Sequence, residues 1–440
     1  MMRHRILLVG LAAILLTGVG AVFGLQQGVS PNADTAQASG TPAPAAQAPA
    51  DQLAGAIARA QEHLRAVPGD YVAWAALGSA YIERARVTAD PTYYPKAEGA
   101  LRRSLSLRPT GNPAALVGLG ALANARHEFA TARDLARRAL RIDPYSADAY
   151  GVLADAQTQL GNPPAATDAI QHMLDLRPGL AAYARASYDL EQEGRLGDAA
   201  ALMRRALGDA VDPADIAFCR YQLGELAWRS GRLDDAEAEY TAGQAADPGY
   251  LPLLAGQARV AAARGQTAAA LAGYAELTAR YPSPGYLMEY ANLLRATGQP
   301  TRADEQLALA AAALRLFQAN GGTDDLGVAQ LALAQGHSRQ AVVAARGEWS
   351  RRHFADVADT LGWALHQSGA NAEAFSYAQQ AAALGARNCG YLFHLGMIEL
   401  SLGRNVDAHR DLSAALALNP HFSPLDAPVA TAALNRLGSR

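Results

Sequence analysis

The sequence is poor in the residues on which metal binding and charge-driven recognition depend. Its 440 residues include two cysteines, ten histidines and a single lysine, Lys96. Cys219 and Cys389 lie some 170 residues apart, and neither belongs to a Cys/His cluster with metal-ligand spacing. The formal net charge of −3 lacks the basic excess of a nucleic-acid-binding protein. We therefore expect no metal, no cofactor, no nucleic-acid partner, and two buried thiols rather than a disulfide.

Aromatic residues are also scarce. They make up only 7% of a chain that is 50% hydrophobic, so alanine must supply much of the apolar content. Alanine has the highest helix propensity, whereas sheet proteins need β-branched and aromatic residues. The composition therefore predicts an all-α protein. The preference for arginine over lysine indicates a GC-rich, bacterial genome.

Short catalytic motifs are missing as well. The sequence has no glycine-rich phosphate loop followed by Lys-Ser/Thr, no GxSxG elbow and no HExxH pair. His366 and His394 fall in adjacent late units and could approach each other, but packing or partner contact explains them better than a metal does. We expect a protein without catalytic residues that is not an enzyme.

The N-terminus carries a targeting or anchoring segment. Arg3, His4 and Arg5 precede an uncharged run of twenty residues from Ile6 to Leu25, and at ~1.5 Å per residue such a helix spans a bilayer core of ~30 Å. Residues 1–25 are therefore predicted to be a transmembrane anchor. The small residues 19–21 leave a cleaved signal peptide, and hence a secreted protein, as the alternative. Both interpretations place the rest of the chain outside the cytoplasm.

Residues 26–50 differ in composition from the rest of the chain. They are rich in Ala, Pro, Gln, Gly, Ser and Thr, with Asp34 as the only charge. Such a stretch has too little large apolar surface to fold, so it is predicted to be a disordered linker.

Three markers then recur through residues 51–440, and the first two of them do so at intervals of 33 to 38 residues. A small residue suited to a close helix crossing stands at Ala132, Ala166, Ala199, Ala236, Ala270, Ala303, Ala341, Ala374 and Ala408. A glycine suited to the positive φ of a helix end precedes it by five residues at Gly161, Gly194, Gly231, Gly265, Gly298, Gly336, Gly369 and Gly403. Prolines that end a second helix are expected at Pro109, Pro144, Pro178, Pro213, Pro248, Pro282 and Pro420.

The run Trp74-x-x-Leu77-Gly78-x-x-Tyr81 resembles the first helix of the tetratricopeptide repeat (TPR). The resemblance covers residues 51–440 and implies an all-α solenoid, a right-handed superhelix of about ten helix-turn-helix units. Its implied function is the binding of a protein or peptide in the concave groove lined by the first helices.

The pattern departs from the family in three places. Residues 88–96, with Tyr93 and Tyr94, form an insertion in the first unit, and further insertions are expected at 208–215 and 319–325. The stretch 318–322 is predicted to be a loop where the array bends, which divides it into 51–320 and 321–440. The last segment, 428–437, is predicted to be a solitary capping helix.

Residues of the first helices that the repeat core does not require are the candidates for partner contact, because exposed aromatics with Arg and Asn favour peptide recognition. Packing between neighbouring repeats is the alternative for several of the aromatics. The candidates are Tyr188, Tyr221, Glu225, Trp228, Arg259, Asn292, Arg295, Asp359, Trp363, His366, Phe393 and Met397.

The clamp with which chaperone-binding members of the family grip a C-terminal carboxylate needs Lys and Asn on consecutive first helices. Ala75, Ser79, Val117 and Ala121 stand there instead, so that function is disfavoured. The sequence predicts a non-catalytic, extracytoplasmic, membrane-tethered interaction scaffold. An accessory or regulatory subunit of an envelope enzyme or transporter complex is the alternative.

Overall fold

The computed structural model describes residues 49–383 and 387–438, and all regular secondary structure within these ranges is helical. None of the helices in these ranges combines the length and apolar character that a bilayer crossing requires. The predicted anchor, residues 1–25, and nearly all of the predicted linker lie outside the described residues.

Within the described ranges, twenty-two helices follow one another with short connections. Their bounds are α1 Pro49–Ala66, α2 Tyr71–Thr88, α3 Tyr93–Leu107, α4 Pro113–Ala125, α5 Phe129–Ile142, α6 Ala147–Leu160, α7 Pro163–Leu176, α8 Leu180–Gln192, α9 Leu196–Asp209, α10 Pro213–Arg229, α11 Leu233–Ala246, α12 Pro252–Ala263, α13 Thr267–Arg280, α14 Pro284–Ala296, α15 Pro300–Ala319, α16 Asp325–Ala334, α17 Ser338–Trp349, α18 Ala355–Gln367, α19 Asn371–Ala382, α20 Cys389–Ser401, α21 Asn405–Leu418 and α22 Asp426–Gly438.

These helices form ten helix-turn-helix units, from the pair α2 and α3 to the pair α20 and α21, within the part of the chain that the structure covers. Helix α1 packs on α2 ahead of the first unit, and α22 packs on α21 after the last one. Ala427, Ala430 and Ala433 of α22 are buried in the cluster that contains Leu412 and Ala415 of α21. The predicted all-α solenoid is confirmed, and the role of the last helix as a cap stays a prediction.

The repeat markers serve the predicted purposes. All nine alanines at the helix crossings are buried, because a side chain larger than a methyl group would push the two helices of a unit apart. All eight glycines of the turns between the paired helices have positive φ, between 69° and 93°. The unit of α4 and α5 places His127 at the glycine position, and its φ of 62° is one of two positive values among the described non-glycine residues.

Two predicted boundaries are wrong. Pro213 does not terminate a second helix, since α9 ends at Asp209 and the proline starts α10, where the missing N–H of a first-turn residue is not needed. Gln318 and Ala319 are not in a loop, because they are the last two residues of α15, a helix of 20 residues. The inserted residues before α16 therefore lengthen α15 as well as the connection between α15 and α16.

The predicted division at residue 320 stays a prediction. Leu331 and Ala334 of α16 belong to the same buried apolar cluster as Ala310 and Leu314 of α15. Apolar packing thus continues from one side of the proposed boundary to the other.

The solenoid winds far enough for successive turns to touch, and we call this line of contact the seam. Four first helices of the N-terminal half each end against a connection that lies about 193 residues later. The helices are α2, α4, α6 and α10, and the later connections follow α13, α15, α17 and α21. One turn therefore takes about 5.7 units of 34 residues.

The seam is made of hydrogen bonds to the carbonyl groups at the ends of these helices. The Tyr281 hydroxyl donates to Arg86 O at 3.1 Å, and the Thr323 N–H donates to Arg126 O at 2.9 Å. The Asn419 side-chain amide donates to Trp228 O at 2.7 Å. The last carbonyls of a helix have no partner within it, so the next turn of the solenoid supplies the missing donors.

Candidate partner-binding site

A cavity of about 590 Å³ lies between the first helices α2, α4, α6 and α8 and the segment α13 to α15 of the next turn. Small residues line its first-helix side, among them Gly118, Ala121, Gly151 and Ala181. Ser79, Val117 and Ala121, which cannot form the carboxylate clamp, also line it. The concave face therefore keeps open a space within the usual size range of ligand pockets.

Helix α15 supplies the apolar wall of this cavity. It has 20 residues, whereas α13 has 14, and the extra turns carry Leu316 and Phe317 to the cavity. Leu309 and Leu316 are 52% and 45% exposed, while the Phe317 ring meets the Tyr94 ring edge-on at 6.1 Å. Leucines that remain half-exposed inside a concave site are available to an apolar side chain of a ligand.

The cavity's charges are largely paired. Asp155 forms two hydrogen bonds of 2.8 Å with Arg185. Burial nevertheless raises the pKa of Asp155 above its ordinary value, against the pull of that guanidinium. Glu83 pairs with Arg86 one turn along α2. A ligand in this cavity thus faces neutralised pairs rather than free charges.

Asn124 contributes an unused acceptor. Its Nδ2 donates to Val152 O at 3.1 Å, but its buried Oδ1 has no hydrogen-bond partner among the described residues. A buried acceptor without a partner is unfavourable, and a donor brought by a ligand would relieve it. A peptide N–H is such a donor, whereas an acyl chain has none.

His127 shapes the edge of the cavity next to the seam. Its ring stacks on Phe129 at 5.5 Å and lies 5.1 Å from the Phe317 ring. Its Nδ1 is 3.7 Å from Asp324 Oδ1 of the next turn. A glycine at this position would make none of these contacts, so a side chain held at positive φ joins the two turns here.

A second group of polar residues fills the interior farther along the solenoid. Arg259 forms hydrogen bonds of 2.8 and 2.9 Å to the two oxygens of Glu225, and the Tyr240 hydroxyl donates to the same carboxylate at 2.7 Å. Arg229 pairs with Glu191. The Tyr391 hydroxyl donates to Asp356. Burial raises the pKa of Glu191 and of Asp356.

This polar group surrounds a small cavity of about 80 Å³ that α8, α10 and α12 share with α18, α20 and α22. Glu225, Trp228 and Arg259 line it from one side, and Tyr391 and Asp426 from the other. The concave face of the middle units is therefore covered by the chain's own C-terminal units.

The predicted partner-contacting residues lie on first helices, and most of them are buried. Burial is nearly complete for Tyr221, Glu225, Trp228, Arg259, Asn292, Asp359, Trp363 and Phe393, whereas Tyr188, Arg295, His366 and Met397 are half-buried. Whether any of them touches a partner stays a prediction.

The structure brings two subsets of these candidates together. Glu225, Trp228 and Arg259 share the small cavity. The Trp363 ring lies 4.2 Å from the ring of His394 and 4.8 Å from that of His366. His394 Nδ1 donates to the Asp359 carboxylate at 2.9 Å. The His366 and His394 rings thus both pack against the Trp363 ring. Among the described residues, no group of three or more potential metal ligands lies close enough together to hold a metal ion. Phe393 packs on the same tryptophan at 5.8 Å. The candidates outside both subsets are Tyr188, Tyr221, Asn292, Arg295 and Met397.

Sequence reasoning missed the large cavity. Its chief residues, Asn124, His127, Leu309, Leu316 and Phe317, were not among the candidates. Two signals could have found it: a histidine at a position where the period requires glycine, and a 38-residue interval that lengthens α15.

Comparison with known proteins gives fold-level similarity only. No protein-family model matches the chain, and no curated protein matches it either. One similar solved structure is PilW, a widely conserved type IV pilus biogenesis factor, at 20% identity over 47% of this chain and 97% of that one, with a TM-score of 0.39. Another is a tetratricopeptide repeat protein from Parabacteroides merdae, at 18% identity over 59% and 99%, with a TM-score of 0.35.

A third similar structure is the human IFIT1 dimer with PPP-AAAA, at 15% identity over 72% of this chain and 73% of that one, with a TM-score of 0.46. The helix pairs, the glycine turns and the alanine crossings define the class of the chain: it folds as an all-α solenoid of the tetratricopeptide type.

Proposed function

We propose that the chain is a non-catalytic scaffold that binds a protein or peptide segment on its concave face, in the cavity between α2, α4, α6, α8 and α15. The observation that carries the proposal is the cavity itself. It has a volume of about 590 Å³, lies on first helices and presents two half-exposed leucines. Its unpartnered Asn124 Oδ1 favours a ligand with N–H groups, and its paired charges favour an apolar side chain.

We further propose that this scaffold works outside the cytoplasm and is tethered to the membrane by residues 1–25. The support is the sequence of the segment, in which Arg3 and Arg5 precede twenty uncharged residues. N-terminal sequencing of the mature protein distinguishes a retained anchor, which keeps residue 1 or 2, from a cleaved signal. Accessibility of the repeats to protease in intact cells tests the side of the membrane.

The binding site is tested by filling the cavity. In Leu316→Arg, a guanidinium group replaces a leucine side chain of the apolar wall. Val343→Arg on α17 is the matched control, because Val343 is 73% exposed and does not line the cavity. Loss of the contact that buries one leucine side chain should weaken the binding free energy by roughly 1.5–3 kcal/mol. Partner recovery from solubilised envelopes, measured by quantitative mass spectrometry, should fall about 10- to 100-fold in the first variant only.

Both variants should keep the helical circular dichroism of the parent protein. Equal recovery of partners with Leu316→Arg and with Val343→Arg would show that the cavity is not the binding site. If the recovered protein is an envelope enzyme or transporter whose activity changes on removal of the scaffold, the role of accessory or regulatory subunit replaces that of a general scaffold.

A further inference from the structure

The seam differs in chemistry from the contacts between neighbouring units. Neighbouring units share buried clusters of leucine, alanine and aromatic residues. Across residues 52–383 and 387–438, no such cluster joins residues of both turns. Apart from the contacts of the Phe317 ring with Tyr94 and His127, the seam therefore consists mainly of hydrogen bonds and ion pairs that water can replace, whereas apolar burial that water opposes dominates the units.

Buried polar atoms without partners gather along the seam and the covered concave face. Arg126 Nε and His127 Nδ1 lie where α4 meets the connection after α15. Tyr188 Oη, His394 Nε2 and Asp426 Oδ1 lie where α8 and α10 face α18, α20 and α22. None of the five has a hydrogen-bond partner among the residues described. Separation of the turns would hydrate these atoms and remove the desolvation penalty that the closed form carries.

We infer that the seam is a clasp: the two turns separate reversibly while every unit stays folded, and separation uncovers the concave face of α8 and α10 that α18, α20 and α22 cover in the closed form. The uncovered surface would carry Tyr188, Glu191, Glu225, Trp228 and Arg229. It is distinct from the open cavity near α2 and α4, so the inference does not depend on the function proposed for that cavity.

The segments that cover this surface indicate what could take their place. They present carboxylates at Asp356 and Asp426 and a side-chain amide at Asn419, which donates to the Trp228 carbonyl. A polypeptide with acidic and amide side chains has the same complementarity. The chain thus holds its second interaction surface occupied by its own C-terminal units.

The turn glycines provide a matched test of the clasp. A methyl group on Gly231 would lie 2.7 Å from Leu418 O of the next turn, and one on Gly161 would collide with His353 O. The same addition at Gly265 or Gly298 meets no described atom within 4 Å. All four glycines have φ between 69° and 78°, so substitution by alanine strains each turn equally and only the first two disturb the seam.

Small-angle scattering of the full chain provides the measurement. Gly161→Ala and Gly231→Ala should increase the radius of gyration, while Gly265→Ala and Gly298→Ala should keep the parental value. Helical circular dichroism should be the same in all four variants. Tyr281→Phe, which removes only the hydroxyl that donates to Arg86 O, offers a milder opening if a glycine variant fails to fold, with the 78% exposed Tyr145→Phe as its control.

Hydrogen exchange of the parent protein tests whether the clasp opens without mutation. The Thr323 amide, which donates to Arg126 O across the seam, should exchange at least about tenfold faster than amides inside α4 and α15 because seam opening is a local event. The inference is overturned if Thr323 exchanges only as fast as those helix interiors. It is equally overturned if the seam variants have the same radius of gyration as their controls.

Discussion

The buried pair of Arg259 and Glu225 allows a quantitative test of how the interior is stabilised. Arg259 of α12 holds Glu225 of α10 through two hydrogen bonds of 2.8 and 2.9 Å, with side chains 7% and 10% exposed. Replacement of Arg259 by methionine keeps the apolar stem but removes the cation that faces two buried carboxylates, Glu225 and, at 3.6 Å, Glu289. We expect Arg259→Met to lower the free energy of unfolding by about 3–5 kcal/mol, the range found when one partner of a buried ion pair is removed.

The second half of the cycle removes the charge of Glu225. Glu225→Gln keeps an acceptor for the Tyr240 hydroxyl, which donates to the carboxylate at 2.7 Å. The double variant Arg259→Met/Glu225→Gln should therefore recover part of the loss, since Glu225 no longer carries a charge, whereas Glu289, whose Oε2 lies 3.6 Å from Arg259 Nε, still lacks its cation. The coupling free energy is the difference between the loss of stability in the double variant and the sum of the losses in the two single variants, and it measures the interaction between the two side chains.

Urea unfolding followed by circular dichroism gives the free energies, and hydrogen exchange shows whether the loss is confined to α10–α12 or extends to α18, α20 and α22, which share the small cavity with them. Arg280 and Glu276 form the control pair, because they are 48% and 55% exposed at a distance of 2.9 Å. Such an exposed pair should contribute only about 0.2–1 kcal/mol. A loss in Arg259→Met no larger than that in Arg280→Met, or a double variant that loses the sum of the single effects, would refute the reasoning.

Two further predictions concern the cap and the helix crossings. Burial raises the pKa of Asp426 to about 7, so this carboxyl binds a proton more readily in the folded chain than in the unfolded one. Its contribution to stability is fully present below the ordinary carboxyl pKa and is lost as the pH rises to about 7. Asp426→Asn, which cannot ionise beside His394 and Ser423, should flatten this fall between pH 5 and pH 8 in urea unfolding, and an unchanged slope would contradict the assignment. At the crossings, Ala270→Val should lower stability by about 1–3 kcal/mol through overpacking, whereas Ala268→Val on the exposed side of α13 should change it by less than about 0.5 kcal/mol. Equal melting temperatures of the two alanine variants would show that the crossing is not sterically restricted.

The local fold was predictable because its determinants lie within one unit. Ala270 and Gly265, for example, act within a single helix pair, and their spacing alone indicates a crossing and a turn. Proline is less informative: Pro213 begins a helix where the pattern predicted an end. A proline after an irregular connection is compatible with either place, because it is accepted at the first turn of a helix as well as beyond the last.

The site was less predictable because it depends on distances that accumulate over many units. Trp228 and Asn419 meet only because every intervening unit adds its rotation and rise, and no local pattern encodes that sum. The groove prediction treated first helices as open to solvent, whereas the second turn buries Trp228 and Glu225. The large cavity likewise depends on the extra turns of α15 reaching α2 and α4.

The seam also determines the route by which a ligand can reach the interior of the closed form. Hydrogen bonds at the ends of α2, α4, α6 and α10 block lateral entry at those four places. An incoming segment must then pass between these contacts or along the axis of the superhelix, which favours a chain terminus or a single extended strand over a folded domain. Polypeptide ends, rather than internal loops of folded proteins, are for this reason the molecules with which to begin a binding screen.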